Sequence, residues 1–292
     1  MQGLLQNETF VGKRVLVTGG NRGLGRGIAV QVAALGGQVT FTARSPRADV
    51  LKQMQAEVAD QAFAVASTKL GSLAMVQLDL SDLSSIDKLV QQDLRDAFDV
   101  VILNAGVAPQ TNQETAQGFE LALGVNCIGH HYLTERLIER QLISDRLIVV
   151  TSETFRAAAP LDLSTLFDPV EYGLSDALLF YARSKLAVNT LSNELLRRHD
   201  GDLHVHLICP GPVATNLANQ APDWLKPTIQ AVMKLLFQSP TAAARPVRFV
   251  GVQERERERG AQAGRHTHTH TLSLSHSLSL THTHTLSPYP LR

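Results

Sequence analysis

Tyr181 and Lys185 stand four residues apart in the run Tyr181-Ala182-Arg183-Ser184-Lys185. On a helix this spacing puts both side chains on one face, about one turn apart. A free phenol ionises near pH 10, so it exchanges protons poorly at neutral pH. A nearby ammonium favours the phenolate and brings it toward the working range of a general acid or base. Taken alone, the pair also reads as a solvated lysine beside a half-buried tyrosine. Proton transfer becomes the better reading only if further groups converge on it.

A second set of residues suits a phosphate. The apolar run Arg14 to Thr18 leads straight into Thr18-Gly19-Gly20-Asn21-Arg22-Gly23-Leu24-Gly25. Glycines between a strand and a helix let the backbone approach a pyrophosphate. The helix N-terminus adds free N–H donors and the positive end of its dipole. Tight turns use the same residues, but in the first strand–helix–strand unit of a parallel sheet the cluster points to a dinucleotide. The spacing is GxxxGxG rather than the commoner GxGxxG.

At the end of the second strand a carboxylate would bind a ribose 2′-hydroxyl. Arg44 stands there instead, with Arg47 close behind, Arg22 inside the glycine run and no acidic residue before Asp49. Guanidiniums suit a 2′-phosphate, so NADP(H) is expected over NAD. Asp79, after the third strand, offers an acceptor to an adenine amino group or a cap to the next turn. Asn104-Ala105-Gly106 follows the fourth strand, where small residues leave room for a ligand across the sheet edge.

These residues need a frame, and the apolar pattern supplies one. Strands are expected at Arg14–Thr18, Gln38–Ala43, Ala74–Leu78, Asp99–Leu103, Arg146–Thr151 and Leu203–Cys209. Helices are expected at Leu24–Leu35, stopped by Gly36-Gly37, at Arg47 to about Ala66, after an N-cap at Ser81, over roughly Gln113–Arg140, and at Asp176–Arg198. Strands alternating with helices predict an α/β fold with a parallel sheet covered on both faces.

Composition excludes several classes. Lys plus Arg and Asp plus Glu both number 27, so no basic excess argues for nucleic acid. The start, Met1 to Lys13, has no apolar run of signal-peptide length. No stretch approaches the ~18 apolar residues of a transmembrane helix. The two cysteines, Cys127 and Cys209, lie in apolar surroundings and read as buried free thiols. A cytoplasmic, reducing setting is expected, with no metal site.

The last forty or so residues break the pattern. Glu254 to Arg259 reads ERERER, and from His266 the chain runs HTHTHT and then LSLSHSLSLTHTHTLS. Each two-residue repeat is what a dinucleotide repeat encodes, which suggests translated microsatellite. Leu272 to Leu280 alternates apolar and polar residues as a strand would. The low-complexity reading is preferred, with disorder past about Gln253. This divides the chain into a domain at 1–253 and a tail at 254–292.

Taken together the motifs resemble the short-chain dehydrogenase/reductase family over roughly Lys13 to Val250. They are TGGNRGLG at 18–25, Asp79-Leu80, NAG at 104–106, Asn126, Ser152, YARSK at 181–185 and Pro210-Gly211-Pro212-Val213-Ala214-Thr215. The stretches 118–134 and 180–195, and the wide gap from Ser152 to Tyr181, resemble its retinol dehydrogenase-like branch.

The resemblance implies a Rossmann-type doubly wound parallel sheet. It also implies catalytic roles: Tyr181 moves a proton to or from the substrate oxygen, Lys185 lowers its pKa and binds the nicotinamide ribose, Ser152 steadies the oxyanion, and Asn126 holds a relay water behind Lys185. Cofactor contacts carry over to Gly19, Asn21, Arg22, Gly23, Leu24 and Gly25 in the glycine turn. They continue at Arg44, Asp79, Leu80, Asn104, Ala105 and Gly106, and at Tyr181, Lys185, Pro210, Gly211, Val213 and Thr215. The region Pro212 to Phe237, with Trp224 and Met233, is expected to form a substrate lid or simply to pack on the core.

Relatives in that branch often carry an N-terminal membrane anchor, which is not expected here. The family sheet ends in a seventh strand after Ser239-Pro240, where this chain turns to repeats, so the last strand is expected to be lost. The usual homo-oligomer surface would suffer with it. The expected activity is an NADP(H)-dependent exchange of alcohol and carbonyl on an apolar small molecule such as a retinoid, steroid or lipid aldehyde. The rival expectations are a catalytically silent nucleotide-binding protein or a non-functional product of the altered ending.

Overall fold

In a computed structural model of the chain, the described residues are 9–64, 69–168, 176–199 and 201–211, with positions 244, 247, 250 and 272–273. Strands β1 (Arg14–Val17), β2 (Gln38–Ala43), β3 (Ser72–Gln77), β4 (Phe98–Leu103), β5 (Ile143–Val150) and β6 (His204–Cys209) alternate with helices. The helices are α1 (Gly23–Ala34), α2 (Ala48–Ala64), α3 (Leu83–Lys88), α4 (Leu121–Leu123), α5 (His130–Glu139) and α6 (Ala177–Arg198). With a short seventh strand, β7 (Leu272–Ser273), all strand pairs are parallel, in the order β3-β2-β1-β4-β5-β6-β7. The order reverses between β1 and β4, and the crevice at such a switch point is where open α/β sheets hold ligands.

Strand period sorts the core into two layers. Val15, Val17, Val100, Ile102, Ile148 and Val150 face the α1 and α2 side, with Ile28, Val32 and Met54. Leu16, Val101, Leu103, Leu147 and Val149 face the other side, with Ile86, Leu133, Leu137 and Leu195. Because both faces are covered, the strands read as unbroken apolar runs rather than as alternations. Ala244, Val247 and Val250 are buried in the first layer.

Three expectations change. The helix expected from Gln113 begins at Leu121, because the Glu120 carboxylate caps Ala122 N and Leu123 N at 2.7 Å and Gly118 bends the chain at φ 80°. It runs from α4 through a π-helical turn, Gly124–Gly129, into α5. The cap of α3 is Asp82, which accepts Ser84 N at 2.9 Å, while Ser81 turns back to Asp79.

The outer edge of β6 is also not bare. β7 (Leu272–Ser273) pairs with Ile208 and Cys209, so the sheet has seven strands rather than losing its last. Leu-Ser alternation has the period of a strand, and an open edge offers it unpaired N–H and C=O groups. The remainder of the expected tail and the expected lid, with Trp224 and Met233, lie outside the described residues. Among the described residues no helix is long and apolar enough to cross a membrane.

Candidate active site

The glycine turn follows from steric need. Gly19 and Gly23 have φ 65° and 55°, a region costly to residues with a Cβ. A Cβ on Gly25 would meet the Gly19 carbonyl oxygen at 2.3 Å and Asn104 Nδ2 at 2.4 Å, so α1 packs against β1 only because that atom is missing. A Cβ on Gly23 would point into open space. Arg22, the N-cap of α1, makes no side-chain capping bond, and the first turn holds no acidic residue. The helix end therefore keeps its positive dipole for an external anion. An open, uncapped glycine turn fits a dinucleotide pyrophosphate.

Around it, Asn21 and Leu24 are half-buried, and Arg22 and Arg44 are exposed. Arg47 does not join them: its guanidinium grips Asp49 through two hydrogen bonds at 3.1 and 2.6 Å. A carboxylate two residues away offers a nearer partner than any phosphate. Asp79 behaves as a cap, its Oδ1 accepting Ser81 N at 2.9 Å and Ser81 Oγ at 2.6 Å. Leu80 is buried, and its carbonyl closes on Gly129, where a Cβ would lie 2.4 Å away. Pro210 is buried and Gly211 has φ 73°. Val213 and Thr215 lie outside the described residues.

The loop after β4 is clamped at both ends. Asn104 Nδ2 donates to the Thr18 carbonyl at 2.9 Å, tying Asn104 to the glycine turn. At the other end Asn126 Oδ1 accepts Val107 N at 2.8 Å, and Nδ2 donates to Val107 O and to Ser184 Oγ, both at 2.9 Å. Ser184 Oγ in turn donates to Tyr181 O at 2.7 Å. Both polar ends of the Asn126 side chain are thus spent bracing Ala105–Val107 against α6.

Tyr181 and Lys185 lie on one face of α6, as their spacing requires, with Lys185 Nζ 5.7 Å from the Tyr181 ring centre. Lys185 is buried, and its ammonium donates to Val150 O at 3.1 Å. Burial pushes its pKa down to about 8. The Tyr181 phenol is pushed up by burial, against which a hydrogen bond with Ser152 pulls it down.

Ser152 sits just past β5, where its hydroxyl also accepts Thr154 Oγ1 at 3.0 Å. Ser152, Tyr181 and Lys185 thus gather at the carboxyl end of β5, on the same rim of the sheet as the glycine turn after β1 and Asn104 after β4. Cys127 and Cys209 are buried and free, and burial pushes the Cys127 thiol up to about 12, which leaves it inert.

A hydroxyl, a phenol and an ammonium beside a dinucleotide turn is chemistry for exchanging a hydride and a proton with a carbonyl. The sequence model of the family described as short chain dehydrogenase matches residues 13–160. Human retinol dehydrogenase 14 is 32% identical over 246 residues, covering 80% of this chain and 72% of the relative. The chain belongs to the short-chain dehydrogenase/reductase family, in its retinol dehydrogenase-like branch.

Among solved structures, an uncharacterised protein from Mycobacterium paratuberculosis has 27% identity and a TM-score of 0.63 over 85% of this chain and 79% of its own. The Pseudomonas aeruginosa RhlG/NADP active-site complex has 21% identity and a TM-score of 0.60 over 84% of this chain and 90% of its own, and it speaks for the fold alone. The family consists of oxidoreductases that act on alcohol and carbonyl groups of small molecules with a nicotinamide cofactor.

Sequence reading missed two members of this site, Thr18 and His130. Thr18 hides inside the glycine motif, and His130 is one helical turn past Asn126. The available signal was a polar residue in an otherwise apolar helix face, which is ambiguous without the partner strand.

Proposed function

We propose that this protein interconverts an alcohol and a carbonyl on an apolar small molecule, using NADP(H). The observation that carries the reading is the gathering of the Ser152 hydroxyl at the end of β5 with the Tyr181 phenol and the buried Lys185 ammonium on one face of α6. The glycine turn, Asn104, Ala105 and Gly106 would hold the dinucleotide, which when bound supplies or accepts the hydride. In the reducing direction Tyr181 gives its phenolic proton to the substrate oxygen. Ser152 donates a hydrogen bond to that oxygen as negative charge gathers on it. Lys185 then stabilises the phenolate left behind until a proton returns.

NADP(H) is favoured by Arg22 and Arg44, exposed at the helix mouth and the end of β2, with no carboxylate in the place a ribose diol would need. RhlG, whose structure is an NADP complex, shares the fold. An apolar substrate is favoured by the relatives named for retinol. The reading includes a catalytic domain at 1–253, a tail at 254–292 and a cytoplasmic setting suited to two free buried thiols; fractionation of cells making the chain would check the last.

Purified protein incubated with NADPH and a panel of aldehydes and ketones should consume the cofactor. Tyr181→Phe should stop it. Equal rates in the two proteins would end the enzymatic reading. The rival, a silent nucleotide-binding protein, is favoured by the upward push on the Tyr181 phenol. It predicts cofactor binding with no turnover on any member of the panel.

A further inference from the structure

A buried histidine, His130, lies behind the loop after β4. His130 Nδ1 is 3.1 Å from the Asn126 carbonyl, and Nε2 is 2.9 Å from Thr18 Oγ1. A carbonyl only accepts, so Nδ1 carries the proton. Burial pushes this imidazole down to about 4, so it is neutral and Nε2 is an acceptor. The Thr18 hydroxyl must therefore donate to His130.

Its lone pairs then face the other way. They accept Asn104 N at 2.8 Å and Ala105 N at 3.0 Å. The hydroxyl is saturated, with one bond given and two received. Among the described residues its other acceptor, the Ile102 carbonyl, lies at 3.5 Å, the limit of a hydrogen bond. His130 thus decides which way the Thr18 hydroxyl points, and that direction sets the start of the loop after β4. Asn126 braces the end of the same loop, one helical turn away.

We propose that His130 is a positioning residue, holding Asn104-Ala105-Gly106 in the shape that receives the dinucleotide through a single hydrogen bond to Thr18. This rests on the dinucleotide site proposed above. A ring that lacks an acceptor at Nε2 would let the hydroxyl turn to Ile102 and release one of the two N–H groups it holds.

The test is direct binding of NADPH and NADH, read by nicotinamide fluorescence, to full-length wild type, His130→Phe, Thr18→Val and the double variant. His130→Phe should weaken binding about tenfold, as loss of one buried hydrogen bond would, and Thr18→Val at least as much, because it removes all three bonds of the hydroxyl. The double variant should bind no worse than Thr18→Val, which already breaks the bond to His130. Thr18→Ser, which keeps the hydroxyl, should restore binding to within about twofold of wild type.

A merely structural role would lower the melting temperature and leave the affinity of the folded protein unchanged. Singles that bind like wild type, or losses that multiply in the double, would overturn the proposal. If His130→Phe does not fold, wild type against Thr18→Val decides the matter, since threonine and valine differ in the hydroxyl at nearly constant volume. Wild type that binds neither dinucleotide removes the site itself, an outcome distinct from a wild type that binds beside unaffected variants.

Discussion

The Lys185 ammonium lies 5.7 Å from the centre of the Tyr181 ring and donates its bond to the Val150 carbonyl rather than to the phenol. The two groups share a helix face, with the lysine fixed by the sheet and the ammonium over the tyrosine ring.

Removing the phenolic oxygen should cost turnover above all. Tyr181→Phe is expected to lower kcat by ~10²–10⁴-fold, the usual worth of a positioned general acid. Cofactor affinity should fall by no more than about tenfold, the worth of the one cofactor contact expected of Tyr181. Ser152→Ala should lower kcat as well and raise the pH at which the phenol ionises, because the bond that pulls Tyr181 down is gone. Steady-state rates across pH 6–10 would check both.

The buried lysine should leave a mark on stability. Its pKa falls from an ordinary 10.5 to about 8, mainly by desolvation. Between those values the unfolded chain binds more protons than the folded one, so stability rises with pH through that window. Below about 8 both states carry the charge, and the full cost of burying it remains. The span corresponds to on the order of 3 kcal/mol. Urea midpoints for wild type should climb from pH 7.5 to 10 relative to Lys185→Met, which has no such group. Parallel pH profiles for the two proteins would refute the assignment.

Cofactor choice should rest on Arg44 more than on Arg47. NADPH should raise the melting temperature more than NADH does, and Arg44→Ala should shrink that difference. Asp49→Asn should widen it, because it frees the guanidinium that Asp49 holds at 2.6 Å. Equal melting shifts with both cofactors in wild type would remove the argument from the arginines.

The glycine turn should separate packing from conformation. Gly25→Ala puts a methyl 2.3 Å from the Gly19 carbonyl, and overpacking of this kind costs about 1–3 kcal/mol. Gly23→Ala meets no atom, yet its φ of 55° still costs about 1–2 kcal/mol. Thermal melts of both should fall, and Gly25→Ala should also lose cofactor binding because it parts α1 from Asn104.

Cleavage by a dilute protease should begin near Glu254 and leave a fragment that still binds cofactor. Among the described residues, deleting 254–292 removes the two-residue pairing of Leu272–Ser273 on β6. Its melting temperature should fall by a few degrees at most, in line with about 0.5–1.5 kcal/mol per hydrogen bond lost. Rapid digestion of the whole chain would favour the non-functional product instead.

Much of this was legible in the order of residues. Strand periods, the glycines at 19, 23 and 25, and the four-residue step from Tyr181 to Lys185 are local properties, because steric limits and helical pitch act between near neighbours. The sequence thereby determined an α/β sheet and which side chains could carry chemistry. It did not determine where a polar group would spend its bonds.

The Asn126 side chain turned to Val107 and Ser184, and Lys185 to Val150. The hydroxyl of Thr18 met His130 across 112 positions of chain. Only the tertiary structure decided these. A hydrogen bond needs its partner within about 3 Å, and the partner is chosen by which strands and helices pack together.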